Sequence, residues 1–241
     1  MSLVGKNILI TGAAKRIGRC FALTVAQAGA NVFIHYHHSK EDAIELQSRI
    51  IATGREAYLY QADLNEPDQM MSMFQQIIQF RPLFALINNA SIFEHLNWKE
   101  TDLKAWEKHL MINLTAPFLL SQAFAQSVPP GQEGRIINIL DWRALRPGAD
   151  HLPYTISKAG LAALTRSMAQ ALAPQITVNG LALGAILPPS GGSTDDGILQ
   201  FVPSNRWARL EEISQALLFL LDGPSYITGE IIHLDGGRHL V

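Results

Sequence analysis

Short runs of β-branched and apolar residues alternate with longer segments of helical periodicity almost to the end of this chain, and no other feature limits its fold so tightly. Strands are predicted over 7–11, 31–36, 56–60, 83–88, 135–140, 175–179 and 230–234. Several of these are apolar without alternation, as expected of strands buried on both faces of a parallel sheet. Between them, 17–28, 41–53, 66–80, 102–126, 155–171 and 210–221 read as helices, with Gly29 and Gly54 placed as C-terminal caps. Repeated strand–helix–strand order, with no linker, repeat or charge block, predicts one α/β domain over 1–241. Its sheet should be parallel and doubly wound, with helices on both faces and right-handed crossovers.

Composition narrows the partners. An apolar fraction of 48% in 241 residues is ample for one buried core, and a net charge of −2 gives no electrostatic case for nucleic acid or an anionic membrane. No window offers about 20 uninterrupted apolar residues, and the start, MSLVGKNILITG, lacks the pattern of a cleaved leader. A soluble cytoplasmic protein is expected. Cys20 has no partner for an internal disulfide and reads as a small core residue of the first helix.

One segment breaks the alternation. Residues 187–205 carry Pro188, Pro189, Gly191, Gly192, Gly197 and Pro203 after the sixth strand, at the carboxyl edge where such sheets bind ligands. The expectation there is a mobile lid over a substrate.

The first strand ends in Thr11-Gly12-Ala13-Ala14-Lys15-Arg16-Ile17-Gly18 and runs into a helix. Small residues at such a turn let a pyrophosphate approach backbone N–H groups and the positive helix end. At the end of the second strand stands His35-Tyr36-His37-His38-Ser39-Lys40, with no carboxylate before Glu41. An acidic residue there would bind a ribose 2′-hydroxyl, whereas imidazole, hydroxyl and ammonium donors suit a 2′-phosphate, so NADP is favoured over NAD. Adjacent strand residues point to opposite faces, so the histidine run predicts no metal site.

Tyr154 and Lys158 lie four apart, on one face of a predicted helix. An ammonium about 4 Å from a phenol can lower its pKa by about three units at an effective dielectric near 20. Tyr36 and Lys40 repeat the spacing, but fall in the nucleotide segment.

With the glycine turn, Asn88-Asn89-Ala90, Asn113, Tyr154-x-x-x-Lys158 and a terminal Asp235-Gly236-Gly237, the chain resembles the short-chain dehydrogenase/reductase family over essentially its whole length. The resemblance implies a Rossmann-type fold, Tyr154 as catalytic acid/base, Lys158 lowering its pKa and binding the nicotinamide ribose, and Asn113 holding a water in a proton relay. It also implies cofactor contacts from Gly12, Arg16, Ile17, Tyr36, His37, His38, Ser39, Asp63, Leu64, Asn89, Ala90, Ser91, Tyr154, Lys158, Gly184 and Ile186. Most members have serine where this chain has Asp141, and glycine where it has Arg16. Those two departures, with His35-Tyr36-His37 and Asn89-Ala90-Ser91-Ile92-Phe93, resemble the pteridine reductase branch, and the ending 234–240 resembles its bacterial dihydromonapterin reductases.

That branch implies reduction of a pterin or folate ring by NADPH, the ring stacked between nicotinamide and Phe93. Arg16, Ser91, Phe93, Asp141 and Tyr154 would bind the substrate. A carboxylate suits a pterin, which offers ring nitrogens and an amino group besides a carbonyl oxygen. Bland alternatives stay open: Asp141 as a loop cap, Phe93 as core, Arg16 as a solvated side chain. The rival activities are a carbonyl reductase of 3-oxoacyl, sugar or other ketone substrates, and a non-catalytic NADPH-binding regulator. Family resemblance further implies a homotetramer, with the 238–241 tail reaching a neighbouring subunit.

Overall fold

The computed structural model describes residues 3–188 and 196–241. Seven strands, β1 (Asn7–Ile10), β2 (Asn31–Tyr36), β3 (Ala57–Gln61), β4 (Ala85–Asn88), β5 (Gly134–Asp141), β6 (Ile176–Leu183) and β7 (Ile231–Leu234), form one parallel sheet in the order β3-β2-β1-β4-β5-β6-β7. Successive side chains of a strand feed opposite layers. Ile8 and Ile10 pack with α1 (Arg16–Gln27), α2 (Lys40–Ile51) and α7 (Leu210–Asp222), whereas Leu9 packs with α3 (Pro67–Phe80) and α5 (Ala116–Ser127). Because both faces are covered, these strands carry no polar alternation, and the expected doubly wound α/β fold is the one observed.

Strand order reverses between β1 and β4, opening a crevice beyond their carboxyl ends, where open α/β sheets hold ligands. β6 runs four residues past its expected end, because Gly180 is a packing glycine here and no strand breaker. A Cβ on it would stand 2.6 Å from Leu140 Cδ1. The longer strand pairs Leu183 with Asp141 and so brings Gly184 to the crevice.

The helix expected over 102–126 is three pieces: α4 (Leu103–Leu110), a π-helical turn (Met111–Thr115) and α5. Pro117 accounts for the break. It has no N–H to offer the carbonyl four residues back, that of Asn113, and its ring crowds that carbonyl. The last long helix, α6 (Leu152–Leu172), starts three residues earlier than expected, with Pro153 tolerated in its first turn. Residues 189–195, the middle of the expected lid, lie outside the described residues. Asp196–Phe201 beyond them form a 3-10 helix. Among the described residues no helix is long and apolar enough to cross a membrane.

Candidate active site

Two adjoining clefts occupy the crevice. The larger, about 480 Å³, is lined by the turn after β1 (Gly12, Arg16, Ile17), the end of β2 (Tyr36 to Ser39), Asp63 and Leu64 after β3, and Asn89, Ala90 and Ser91 after β4. The smaller, about 290 Å³, is lined by Phe93, Asp141, Tyr154, Lys158, Gly184 and Ile186. Arg16, Ile17, Asn89 and Ser91 border both. Apart from Lys40, the residues expected to touch cofactor or substrate border this double cleft.

Close approach explains the glycine turn. Thr11 Oγ1 accepts from the N–H groups of Asn89 (2.9 Å) and Ala90 (3.0 Å), tying the ends of β1 and β4 together. Gly12 has a φ of +61°, and a Cβ on Gly18 would lie 2.2 Å from the Gly12 carbonyl oxygen. Arg16 has a φ of +51°, so the backbone keeps a glycine-like conformation although the side chain is an arginine. Its Nη2 donates to the Pro188 carbonyl at 2.9 Å, which holds the guanidinium across the junction of the two clefts.

The larger cleft suits a phosphorylated dinucleotide. The N-terminus of α1 opens on it with no side-chain cap and no acidic residue in its first turn, so its N–H groups are free for an anion. Lys15, Arg16, His37, His38 and Ser39 line it, and the only carboxylate among the lining residues is Asp63. Lys15 is the cation that the sequence reading missed; it pairs with Asp42 at 3.0 Å, and Lys40 does not line the cleft. His35 turns inward. It is buried, takes the Gly12 N–H on Nδ1 (3.0 Å) and gives Nε2–H to the Ala62 carbonyl (3.1 Å). Burial lowers its pKa to about 4, so a neutral His35 braces the glycine turn and is no phosphate ligand. Tyr36 sits on β2 and Lys40 opens α2, so the second Tyr-x-x-x-Lys spacing shares no helix face.

In the smaller cleft, Tyr154 Oη donates to Asp141 Oδ2 at 3.1 Å. Asp141 ends β5, and its other oxygen accepts the Arg143 N–H at 2.8 Å, so it caps the 3-10 turn Trp142–Ala144 while facing the cleft. Burial raises the Asp141 pKa against the pull of Arg143. Lys158 Nζ donates to the Ile139 carbonyl (2.7 Å) and lies 5.8 Å from the centre of the Tyr154 ring. Desolvation brings its pKa down to about 8. The net shift of the tyrosine runs opposite to the one expected from Lys158 alone. Burial, then the charge and hydrogen bond of Asp141, raise the Tyr154 pKa well above 10 and keep the phenol protonated.

Asn113 sits in the π-helical turn beneath this cleft and lines neither cavity. Its Oδ1 accepts from Ile92 N–H (2.9 Å) and Ser91 Oγ (3.1 Å), and its Nδ2 donates to the Ile92 carbonyl (3.0 Å) and Ser157 Oγ (3.1 Å). Its side chain thus clamps the 91–92 segment against α6, while the backbone carbonyl, denied an N–H by Pro117, is left as the acceptor at this turn. Phe93 is 53% exposed, so it is not a core residue, and it meets Tyr154 edge-on at 4.6 Å. Arg238 of the tail stacks over Trp142 at 4.4 Å, folding back toward Asp141 within the same chain.

Residues 6–197 match the short chain dehydrogenase family model. The chain belongs to that family. A short chain dehydrogenase is an oxidoreductase, and the cleft is built accordingly. Among proteins of this family, a 3-oxoacyl-[acyl-carrier-protein] reductase of Synechocystis sp. is 32% identical over 241 residues, covering 98% of each chain. Two solved structures are equally near. One is FolM alternative dihydrofolate reductase 1 of Brucella canis complexed with NADP: 31% identical, TM-score 0.94, 99% of this chain and 96% of that one. The other is the Brucella suis protein in complex with NADP: 32% identical, TM-score 0.90, covering 98% and 96%.

Proposed function

We propose that this short chain dehydrogenase reduces the ring of a dihydropterin or dihydrofolate with NADPH. The observation that carries the reading is the Asp141 carboxylate hydrogen-bonded to the Tyr154 phenol inside the smaller cleft. A ketone reductase needs donors converging on one carbonyl oxygen, whereas both Asp141 oxygens here act as acceptors, one from Tyr154 and one from Arg143 N–H. A pterin ring presents N–H and amino donors, which an acceptor can hold. The open ring of Phe93 gives a flat heterocycle an apolar face. The Brucella structures of alternative dihydrofolate reductases, similar along nearly the whole chain, support this substrate class.

The cofactor fits the larger cleft through Gly12, Ile17 and the first N–H groups of α1 for the pyrophosphate, with Lys15, His37, His38 and Ser39 toward a 2′-phosphate. When bound, NADPH supplies the hydride. Tyr154, held protonated by its neighbours, is the group that gives a proton to the ring nitrogen. Lys158 places its charge behind the cofactor ribose and the phenol. Asp141 orients the ring edge, and Arg16 spans cofactor and substrate.

A second reading rests on the curated relatives named 3-oxoacyl-[acyl-carrier-protein] reductase. NADPH oxidation measured side by side with dihydropterins, dihydrofolate and a 3-oxoacyl thioester separates the two. We expect turnover of the ring substrates; folded enzyme that binds NADPH and reduces only the thioester would overturn the pterin assignment.

A further inference from the structure

Phe93 does not stand alone at the cleft wall. The His151 ring lies parallel to it, centres 4.0 Å apart and planes 10° apart, on one face of a phenylalanine that is still half exposed. His151 reaches this position through a left-handed backbone (φ 52°, ψ 44°), which a residue with a Cβ rarely adopts. Four contacts hold it there. Asp150 Oδ2 accepts from His151 Nδ1 at 2.9 Å, and the same oxygen accepts Arg143 Nη2 at 2.8 Å. The next residue, Leu152, donates its N–H to the Leu96 carbonyl at 2.8 Å, binding the start of α6 to the segment that carries Phe93. The His95 ring meets His151 edge-on at 4.7 Å. Asp150, its pKa lowered to about 2, stays ionised, so Nδ1 carries the proton toward it and the stacked imidazole is neutral at pH 7.

We propose that His151 is a specificity-determining residue: its ring backs Phe93 and fixes that side chain as a rigid wall for a planar heteroaromatic substrate. The inference rests on the pterin reading and adds to it a positioning residue outside the cleft lining. Strain in the backbone and an ion-paired anchor are a costly way to place a largely buried histidine, and they are accounted for if the Phe93 ring must not rotate. An acyclic ketone gains little from such a wall; a flat ring stacked on Phe93 loses affinity when the wall moves.

Two substitutions test this. His151→Gly removes the ring at a position whose φ suits glycine, so the fold should persist, as a thermal melt would show. His151→Asn also tolerates a left-handed backbone and can keep a hydrogen bond to Asp150 without the aromatic face. In both variants KM for dihydrofolate should rise about fivefold, the scale of one lost aromatic stack, with a smaller fall in kcat and unchanged NADPH affinity. An unchanged KM in folded His151→Gly overturns the role of the ring, and so does a wild-type KM in His151→Asn. Wild-type enzyme that reduces no dihydropterin or dihydrofolate overturns the functional reading itself.

Discussion

The Tyr154 hydroxyl points at Asp141, 3.1 Å away, and not at the lysine one helical turn beyond it. The phenol is thereby stabilised as a donor. Asp141→Ser removes the carboxylate charge that disfavours a phenolate, so the phenol should ionise at lower pH than in the wild type, visible as tyrosinate absorbance in a pH titration. In the same variant, kcat/KM for a dihydropterin should fall by about two orders of magnitude, within the usual range for loss of one acid–base or charged hydrogen-bonding group. Reduction of a simple ketone should hold or improve. A variant that keeps full pterin turnover would remove Asp141 from substrate binding. Tyr154→Phe should lose turnover by a larger factor while NADPH titration stays normal.

Lys158 sets the alkaline limit. It is charged below its pKa of about 8 and loses the charge above it. With Tyr154 protonated throughout this range, kcat/KM should fall as pH rises through about 8, and Lys158→Arg, which stays charged, should move that limb upward. A pH–rate profile flat to pH 9 or beyond, well past about 8, would contradict the assignment.

His35 gives the fold an acid-sensitive brace. Its pKa is about 4 when folded and 6.5 ordinarily, so between those values the unfolded chain binds a proton that the folded chain refuses. Its stabilisation is thus complete above pH 6.5 and drains away as pH falls toward 4. The loss should reach about 3 kcal/mol, from about 1.4 kcal/mol per pH unit. Urea midpoints measured across this window should show it, and His35→Leu should flatten that slope. The same substitution strands the Gly12 N–H and the Ala62 carbonyl, lowering stability at pH 7 by about 2–4 kcal/mol.

Two positions in the first turn should respond differently. Gly18→Ala drives a methyl into the Gly12 carbonyl oxygen and should destabilise the protein by about 2 kcal/mol or more. Arg16→Gly relieves a positive φ while freeing the unfolded chain, two effects of about 1 kcal/mol that nearly cancel. Its melting temperature should barely move, yet KM for the ring substrate should rise as the guanidinium is lost from both clefts.

What could be read from the sequence, and what could not, divides along a physical line. Periodicity reports burial, and the strands are continuous apolar runs, so the doubly wound sheet and the crevice at its switch point were legible. Turn chemistry fixed Gly12, Gly18 and the Asn89-Ala90-Ser91 segment at one cleft. The direction in which a polar side chain turns is a tertiary matter. His35 and His37 fall two apart in one run, yet the His35 ring is buried and braces Gly12, whereas His37 stays partly exposed beside the cleft. The Tyr154 pKa followed the same rule, because a spacing of four places Lys158 on the right face but says nothing of the Ile139 carbonyl that takes its ammonium. His151 gave no signal at all, since its conformation depends on Asp150, Arg143 and Phe93 together. Pro117 did give one: a proline four residues after Asn113 removes an N–H from the α-helical ladder and marks a break within 102–126.

The π-helical turn at Met111–Thr115 splices two helices out of phase. Each residue advances an α-helix by about 100°, so one residue more or fewer between Leu110 and Ala116 would swing Leu120 and Phe124 off the core or lift Asn113 away from Ile92. Substitution can be tolerated along much of this stretch. A change in its length cannot, because the clamp beneath the cleft and the core beyond it would no longer be in phase.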